Sequence, residues 1–150
     1  TLDAGESNDL HPHDKKLVAD RVFNAAMDLI YDRQAQPQPV VETIEIRGDL
    51  LRMHCVWRNC SGERIRLGSR RLMTLDGDVP REIDFLWRDC ATSARAEAWL
   101  DGCDIVARMP VCRPDEVRYA WSNDPESGLV CDGDGMLLPP FRLSLPTDGR

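Results

Sequence analysis

The chain has 150 residues, 42% of them hydrophobic and 30% charged, the make-up of a soluble globular domain that buries about 68–70% of its unfolded surface. Its formal net charge of −7 argues against nucleic acid or an anionic membrane as a partner, because a basic patch supplies most of that affinity. Apolar runs are only a few residues long, so no segment is expected to span a bilayer, and the first residues lack the charged-then-apolar order of a signal peptide.

Residues 1–11 read as a functional loop rich in Asp, Asn, Ser and Gly. Pro12 at the first helical position and Asp14 in the first turn predict a helix start. Val18, Val22, Ala25, Ala26, Leu29 and Ile30 then recur at three-to-four residue spacing as one apolar stripe, with Lys15, Lys16, Asp20, Arg21, Asp28 and Asp32 on the polar side. The helix should end near Tyr31 to Arg33. The stretch Gln34-Ala35-Gln36-Pro37-Gln38-Pro39 reads as a semi-extended linker, which divides the chain into residues 1–36 and a second domain, 37–150.

Beyond the linker the hydrophobic period changes from helical to two. Leu51, Met53, Cys55 and Trp57 alternate with Arg52, His54 and Arg58 after a Gly48-Asp49 turn. Arg47-Gly48-Asp49 spells an adhesion tripeptide, but the hairpin accounts for it. Further strands are predicted at Arg71 to Leu75, at Ile83, Phe85 and Trp87 after the Asp76-Gly77-Asp78 turn, and at Ala94 to Leu100 and Cys103 to Met109 about an Asp101-Gly102 hairpin. The last is at Val117, Tyr119 and Trp121. Short strands with turns between them and no second helical stripe predict an antiparallel β-sandwich-like domain over about 40–145. The tail from Asp124 to Pro146 reads as loop, laid back over the neighbouring domain.

Six cysteines (55, 60, 90, 103, 112, 131) fit an oxidising compartment with fifteen possible pairings, or simply small apolar packing residues. Asn59-Cys60-Ser61 matches the N-glycosylation pattern, which suits the same compartment. With no Cys-x-x-Cys pair a zinc site is disfavoured.

Asp3, Gly5, Asp9, His11, Pro12 and Lys15 gather carboxylates and an imidazole on a loop before a helix, the parts that hold and polarise a general base. None of the seven serines (7, 61, 69, 93, 122, 127, 144) stands in a nucleophile motif, so the base would serve a hydroxyl on another segment. Read singly, His11 before a proline is a solvent-facing cap residue and Asp9 a local helix cap. His13 and His54 read as surface, and Tyr119 and Trp121 as sandwich core on the face of Val117. Arg118, on the opposite face, suits either the carboxylate of an acidic sugar or an interdomain salt bridge.

The segment Asp3-x-Gly5, Asp9-Leu10-His11-Pro12-x-x-Lys15, then Val18-Ala19 and Arg21, resembles the final catalytic block of sialate O-acetylesterases and related carbohydrate acetylesterases of the SGNH hydrolase superfamily. A second stretch looks like the same family's C-terminal region: Ala98-Trp99-Leu100-Asp101-Gly102, Ile105-Val106, Pro110-Val111, Pro114, Val117-Arg118-Tyr119-Ala120-Trp121, Asn123 and Pro125. Leu138-Pro139-Pro140-Phe141-Arg142 continues it, and residues 60–90 are the least similar.

The resemblance implies an α+β chain: the C-terminal loop and last helix of an SGNH-type α/β/α esterase domain in residues 1–36, followed by the antiparallel β-sandwich-like domain. It implies a carboxylic ester hydrolase, without cofactor or metal, that removes O-acetyl groups from sialic acid or related sugars. His11 would be its general base. The serine and oxyanion donors would lie on an upstream segment or second chain. The superfamily places Asp three residues before the histidine, where this chain has Asn8. That leaves Asp9, then Asp3, to orient His11, or a serine–histidine dyad in which Asp9 serves the loop. A secreted, periplasmic or lysosomal location follows from the family and the cysteines. The alternatives are a non-catalytic carbohydrate-binding or scaffold sandwich and an unrelated secreted interaction domain.

Overall fold

The structure, a computed structural model, describes residues 2–5, 9, 11, 13–31, 38–58, 64–66, 71–77, 79–88, 92–125 and 127–146. Among them are one helix and eleven strands, all paired antiparallel. Asn8, Pro12, the 34–37 linker, Asn59, Cys60 and Cys90 lie outside the described residues.

Helix α1 spans Lys15–Leu29, 15 residues. Asp14 is its N-cap rather than a first-turn residue, its carboxylate accepting the Leu17 N–H at 2.9 Å. A cap must sit outside the helix for its oxygen to turn back onto the free N–H groups. The helix closes earlier than the spacing predicts, with the Ile30 N–H donating to the Ala26 carbonyl at 2.9 Å. Its expected apolar stripe is largely uncovered: Val22 is 63% exposed, Leu29 83% and Ile30 73%.

Strands β1 (Pro39–Arg47) and β2 (Leu50–Arg58) form a hairpin about Gly48-Asp49. Gly48 has φ 61°, which glycine adopts without a Cβ penalty. The last residue of the predicted linker, Pro39, is thus already strand, at the first position, where a missing ladder donor is tolerated. Leu51, Met53 and Cys55 are buried on one face as alternation requires.

The remaining strands are β3 (Arg64–Arg66), β4 (Met73–Thr74), β5 (Ile83–Leu86), β6 (Ser93–Arg95), β7 (Glu97–Asp101), β8 (Asp104–Arg108), β9 (Glu116–Tyr119), β10 (Val130–Cys131) and β11 (Phe141–Ser144). One sheet has the order β1-β2-β8-β7, with β3 taking up the end of β2 beyond β8. A second runs β11-β9-β5-β6, and β10-β4 make a short third. The core lies between them: Leu51, Met53, Ile105 and Ala107 from the first sheet meet Ile83, Phe85, Val117 and Tyr119 from the second, with Leu72, Val130 and Leu138.

Three expectations are corrected. The predicted strand Ala94 to Leu100 is two strands in two sheets, parted at Ala96, whose N–H donates to the Ile83 carbonyl at 2.7 Å. A continuous strand would serve one sheet only; a break at a small residue lets the chain turn a corner of the sandwich. The hairpin turn sits one residue later than expected, at Gly102-Cys103, with Asp101 paired to Asp104.

Trp121 is not core. Ala120 takes φ 49° and ends β9, leaving Trp121 49% exposed, whereas Tyr119 is fully buried. The tail is mostly loop, as expected, but it also supplies β10 and β11 and buries Leu129, Val130, Leu138 and Leu145. Its path over the second sheet needs Gly128, where a Cβ would lie 2.5 Å from the Arg81 nitrogen. No helix among the described residues is long and apolar enough to cross a membrane.

Candidate functional site

The loop before α1 is organised by two carboxylates. Asp9 accepts the backbone N–H of His11 through Oδ1 at 2.8 Å, and its Oδ2 lies 3.0 Å from His13 Nε2. The aspartate therefore shapes the loop through the His11 main chain while facing the imidazole of the next histidine. The His11 side chain is exposed, and among the described residues its ring has no hydrogen-bond partner. His13 is on the surface, as predicted, with its side chain 70% exposed.

Asp3 is committed elsewhere. Both its oxygens are held by the Arg21 guanidinium, Oδ1 by Nη1 and Oδ2 by Nη2 at 2.8 Å, and both side chains are mostly covered. Hydrogen bonding from Arg21 outweighs partial burial and keeps the Asp3 carboxyl below the ordinary carboxylate range. Next to it, Ala4 is buried and Leu2 packs against the β core. The start of the loop is thus pinned both to the sheets and to α1. Sequence reading placed Asp3 and Arg21 in one motif without pairing them; the signal is a conformationally fixed acid and base 18 residues apart, which only folding joins.

Beside this loop a groove of about 730 Å³ runs between α1 and the sheets. Leu17, Arg21, Phe23 and Leu29 line it from the helix, and Pro39 and Met136 from the other side. Neither His11 nor Asp9 is among its lining residues.

The polar face of the second sheet carries a second cluster. Arg118 and Arg142, opposite each other on β9 and β11, both bond the buried Glu116 carboxylate. Arg118 therefore serves a pair within its own sheet, not the expected interdomain bridge or a free guanidinium for a sugar acid. Arg95 reaches Glu82 at 3.1 Å and Asp84 at 3.6 Å on the same sheet. His54 is half-buried rather than free, with Nδ1 3.2 Å from Asp104 and Nε2 3.8 Å from Glu45. No group of three or more His, Cys, Asp or Glu side chains among the described residues is placed to hold a metal ion. Cys55, Cys103, Cys112 and Cys131 are in the thiol form, outside any disulfide.

The sequence matches no protein-family model, and a search of curated proteins finds no significant relative. The fold does have a solved counterpart, in the crystal structure of a carbohydrate acetylesterase from Xanthomonas citri. The TM-score is 0.71 at 24% sequence identity, over 94% of this chain. The match covers 31% of the acetylesterase's chain, so this chain spans about a third of its length. At that identity the likeness establishes a shared fold: one helix and antiparallel sheets in the arrangement found within a much longer acetylesterase.

Proposed function

We propose that this chain is the C-terminal portion of a serine carbohydrate esterase. It would remove O-acetyl groups from sialic acid or a related acetylated sugar. Residues 1–36 would complete an SGNH-type α/β/α esterase domain, and residues 37–150 would form the sandwich that supports it. The observation that carries the reading is the fold likeness to a carbohydrate acetylesterase over nearly the whole chain. The exposed apolar side of α1, where Leu29 and Ile30 are 83% and 73% exposed, fits a helix whose other partner belongs to the esterase domain. A secreted, periplasmic or lysosomal setting belongs to the same proposal.

In the proposed mechanism the exposed His11 imidazole accepts the proton of a serine supplied by the upstream segment as that oxygen attacks the acetyl carbonyl. The imidazolium then protonates the departing sugar oxygen. Water, deprotonated by the same ring, releases acetate and restores the serine. Asp9 is a positioning residue: its bond to the His11 N–H fixes the backbone from which the ring projects. Asp3 and Arg21 anchor the loop to α1.

The test is reconstitution of this chain with the upstream polypeptide that bears the serine, and hydrolysis of p-nitrophenyl acetate and of O-acetylated sialic acid. His11→Ala is expected to reduce turnover about 10²–10⁴-fold, the range for losing a general base, with His13→Ala much less affected. Full activity in the His11→Ala complex removes the reading. Glycan binding by this chain alone, with no esterase activity in any complex, replaces it with a binding module.

A further inference from the structure

The β2–β8 ladder runs in register from Leu50 opposite Arg108 to His54 opposite Asp104. The ladder ends there, and Cys55 of β2 and Cys103, the second residue of the β7–β8 turn, are the next residues beyond its last pair. Both belong to the core side of the sheet. Cys55 is buried with Met53 and Ile105, and Cys103 is half-buried and packs against that cluster.

Opposed residues of an antiparallel ladder have Cα atoms about 4.5–5.5 Å apart, inside the range of roughly 4.4–6.8 Å that a disulfide spans. The thiols are near enough for the charge of one to act on the other. The other described cysteines lack such a neighbour in the ladders: Cys131 pairs with Met73, and Cys112 sits on an exposed loop outside the strands.

The position has a structural meaning. At Cys55 the strand β2 exchanges one partner for another, leaving β8 after His54 and taking up β3 at Val56. On this edge of β2 neither β8 nor β3 continues across the junction, which only β1 bridges from the other edge.

We propose that Cys55 and Cys103 are a modification site, closed in an oxidising compartment into a cross-strand disulfide that staples the β7–β8 turn to β2. The oxidant class is a small-molecule disulfide such as oxidised glutathione. The Cys103 thiolate, the more accessible of the two, attacks one glutathione sulfur and displaces the first glutathione thiolate. The Cys55 thiolate then attacks the Cys103 sulfur and displaces the second. Two thiol protons end on the two released glutathiones, whose shared disulfide has taken the two electrons. Burial pushes the Cys55 thiol up to about 12 and also raises Cys103. Closure in the folded chain is therefore slow at neutral pH and speeds up as pH rises and thiolate forms.

The experiment is refolding of the full chain in a glutathione redox buffer, alkylation of free thiols, and peptide mapping without reduction. A Cys55–Cys103 linked peptide pair is expected, with a thermal midpoint roughly 10 °C above that of the reduced chain. Cys103→Ser, at a half-buried site that a hydroxyl suits, should keep the native circular dichroism but lose both the linked pair and the redox dependence of the midpoint. Alkylation of both cysteines after equilibration, or a link from either one to a different cysteine, overturns the proposal.

Discussion

The helix and the sheets of this protein hold their places by different forces. In the sheets Leu51, Met53, Ile83, Ile105, Val117, Tyr119 and Val130 are fully buried, each covered by side chains of the facing sheet. In α1 the comparable apolar residues Val22 and Phe23 are 63% and 61% exposed, and Leu29 more so. What ties the helix region down is a charged contact, Arg21 with Asp3, and the short apolar anchor of Leu2 and Ala4. Burial from water holds the sheets, while a hydrogen-bonded ion pair holds the helix, so the two should respond differently to mutation and to pH.

The largest effect belongs to the sheets. Phe85→Ala, which removes a ring 2% exposed, is expected to cost about 3–5 kcal/mol in urea unfolding of the whole chain. A loss below about 1 kcal/mol would mean the core collapses around the gap, and the contrast with the helix would disappear.

Next comes the helix anchor. Asp3→Asn should cost about 1.5–3 kcal/mol, the scale of hydrogen bonds to a charged group, read locally as faster amide exchange in α1 with the sheet amides unchanged. The sign with pH follows from the direction of the shift. Arg21 holds the folded Asp3 carboxyl below its ordinary value, so its contribution is complete above the unfolded carboxylate range and fades as pH falls through the lowered value. Wild-type α1 should therefore loosen in acid, and the Asp3→Asn helix should be insensitive over the same interval. Equal acid sensitivity in both proteins would place the anchor elsewhere.

The smallest effect sharpens the comparison most. Leu29→Ser, at a position 83% exposed, should change the stability of this chain by less than about 0.5 kcal/mol. In a complex with the upstream esterase segment the same change should weaken association measurably by titration calorimetry. A large loss in the chain alone would show that its own residues cover this side of the helix.

The β half was more legible in the sequence than the helix surroundings. Alternation at Leu51, Met53 and Cys55, and at Ile83 and Phe85, states the period of a strand and which side is buried. Gly48-Asp49 marks a turn because a left-handed residue is needed there. The strand Pro39–Arg47 escaped notice because its exposed Thr43 and half-covered neighbours do not alternate cleanly past the register shift between Val41 and Thr43. The short strands Val130–Cys131 and Phe141–Ser144 were hidden among Gly, Asp and Pro residues that signal loops.

At the candidate site, the sequence showed which side chains lie near one another but not how they are bonded. Asp9 two residues before His11 reads as an acid for that ring, yet the same spacing lets the carboxylate reach the His11 backbone, and a helical separation of four brings His13 to its other oxygen. Sequence spacing sets which groups are within reach. Which of them is bonded depends on how the loop is pinned, and Asp3–Arg21 does that across 18 residues.

By itself the sequence determined the local elements: a helix beginning close to Asp14, strands whose buried side is set by alternation, and a hairpin at Gly48. These depend on neighbouring residues and on the fixed periods of the backbone. Only the tertiary structure decided that Ser93–Asp101 divides between two sheets, that Trp121 leaves the core once Ala120 turns to φ 49°, and that the apolar side of α1 stays uncovered. Such outcomes turn on which surface arrives to cover a given face, and a hydrophobic period specifies that a face must be covered without naming its partner.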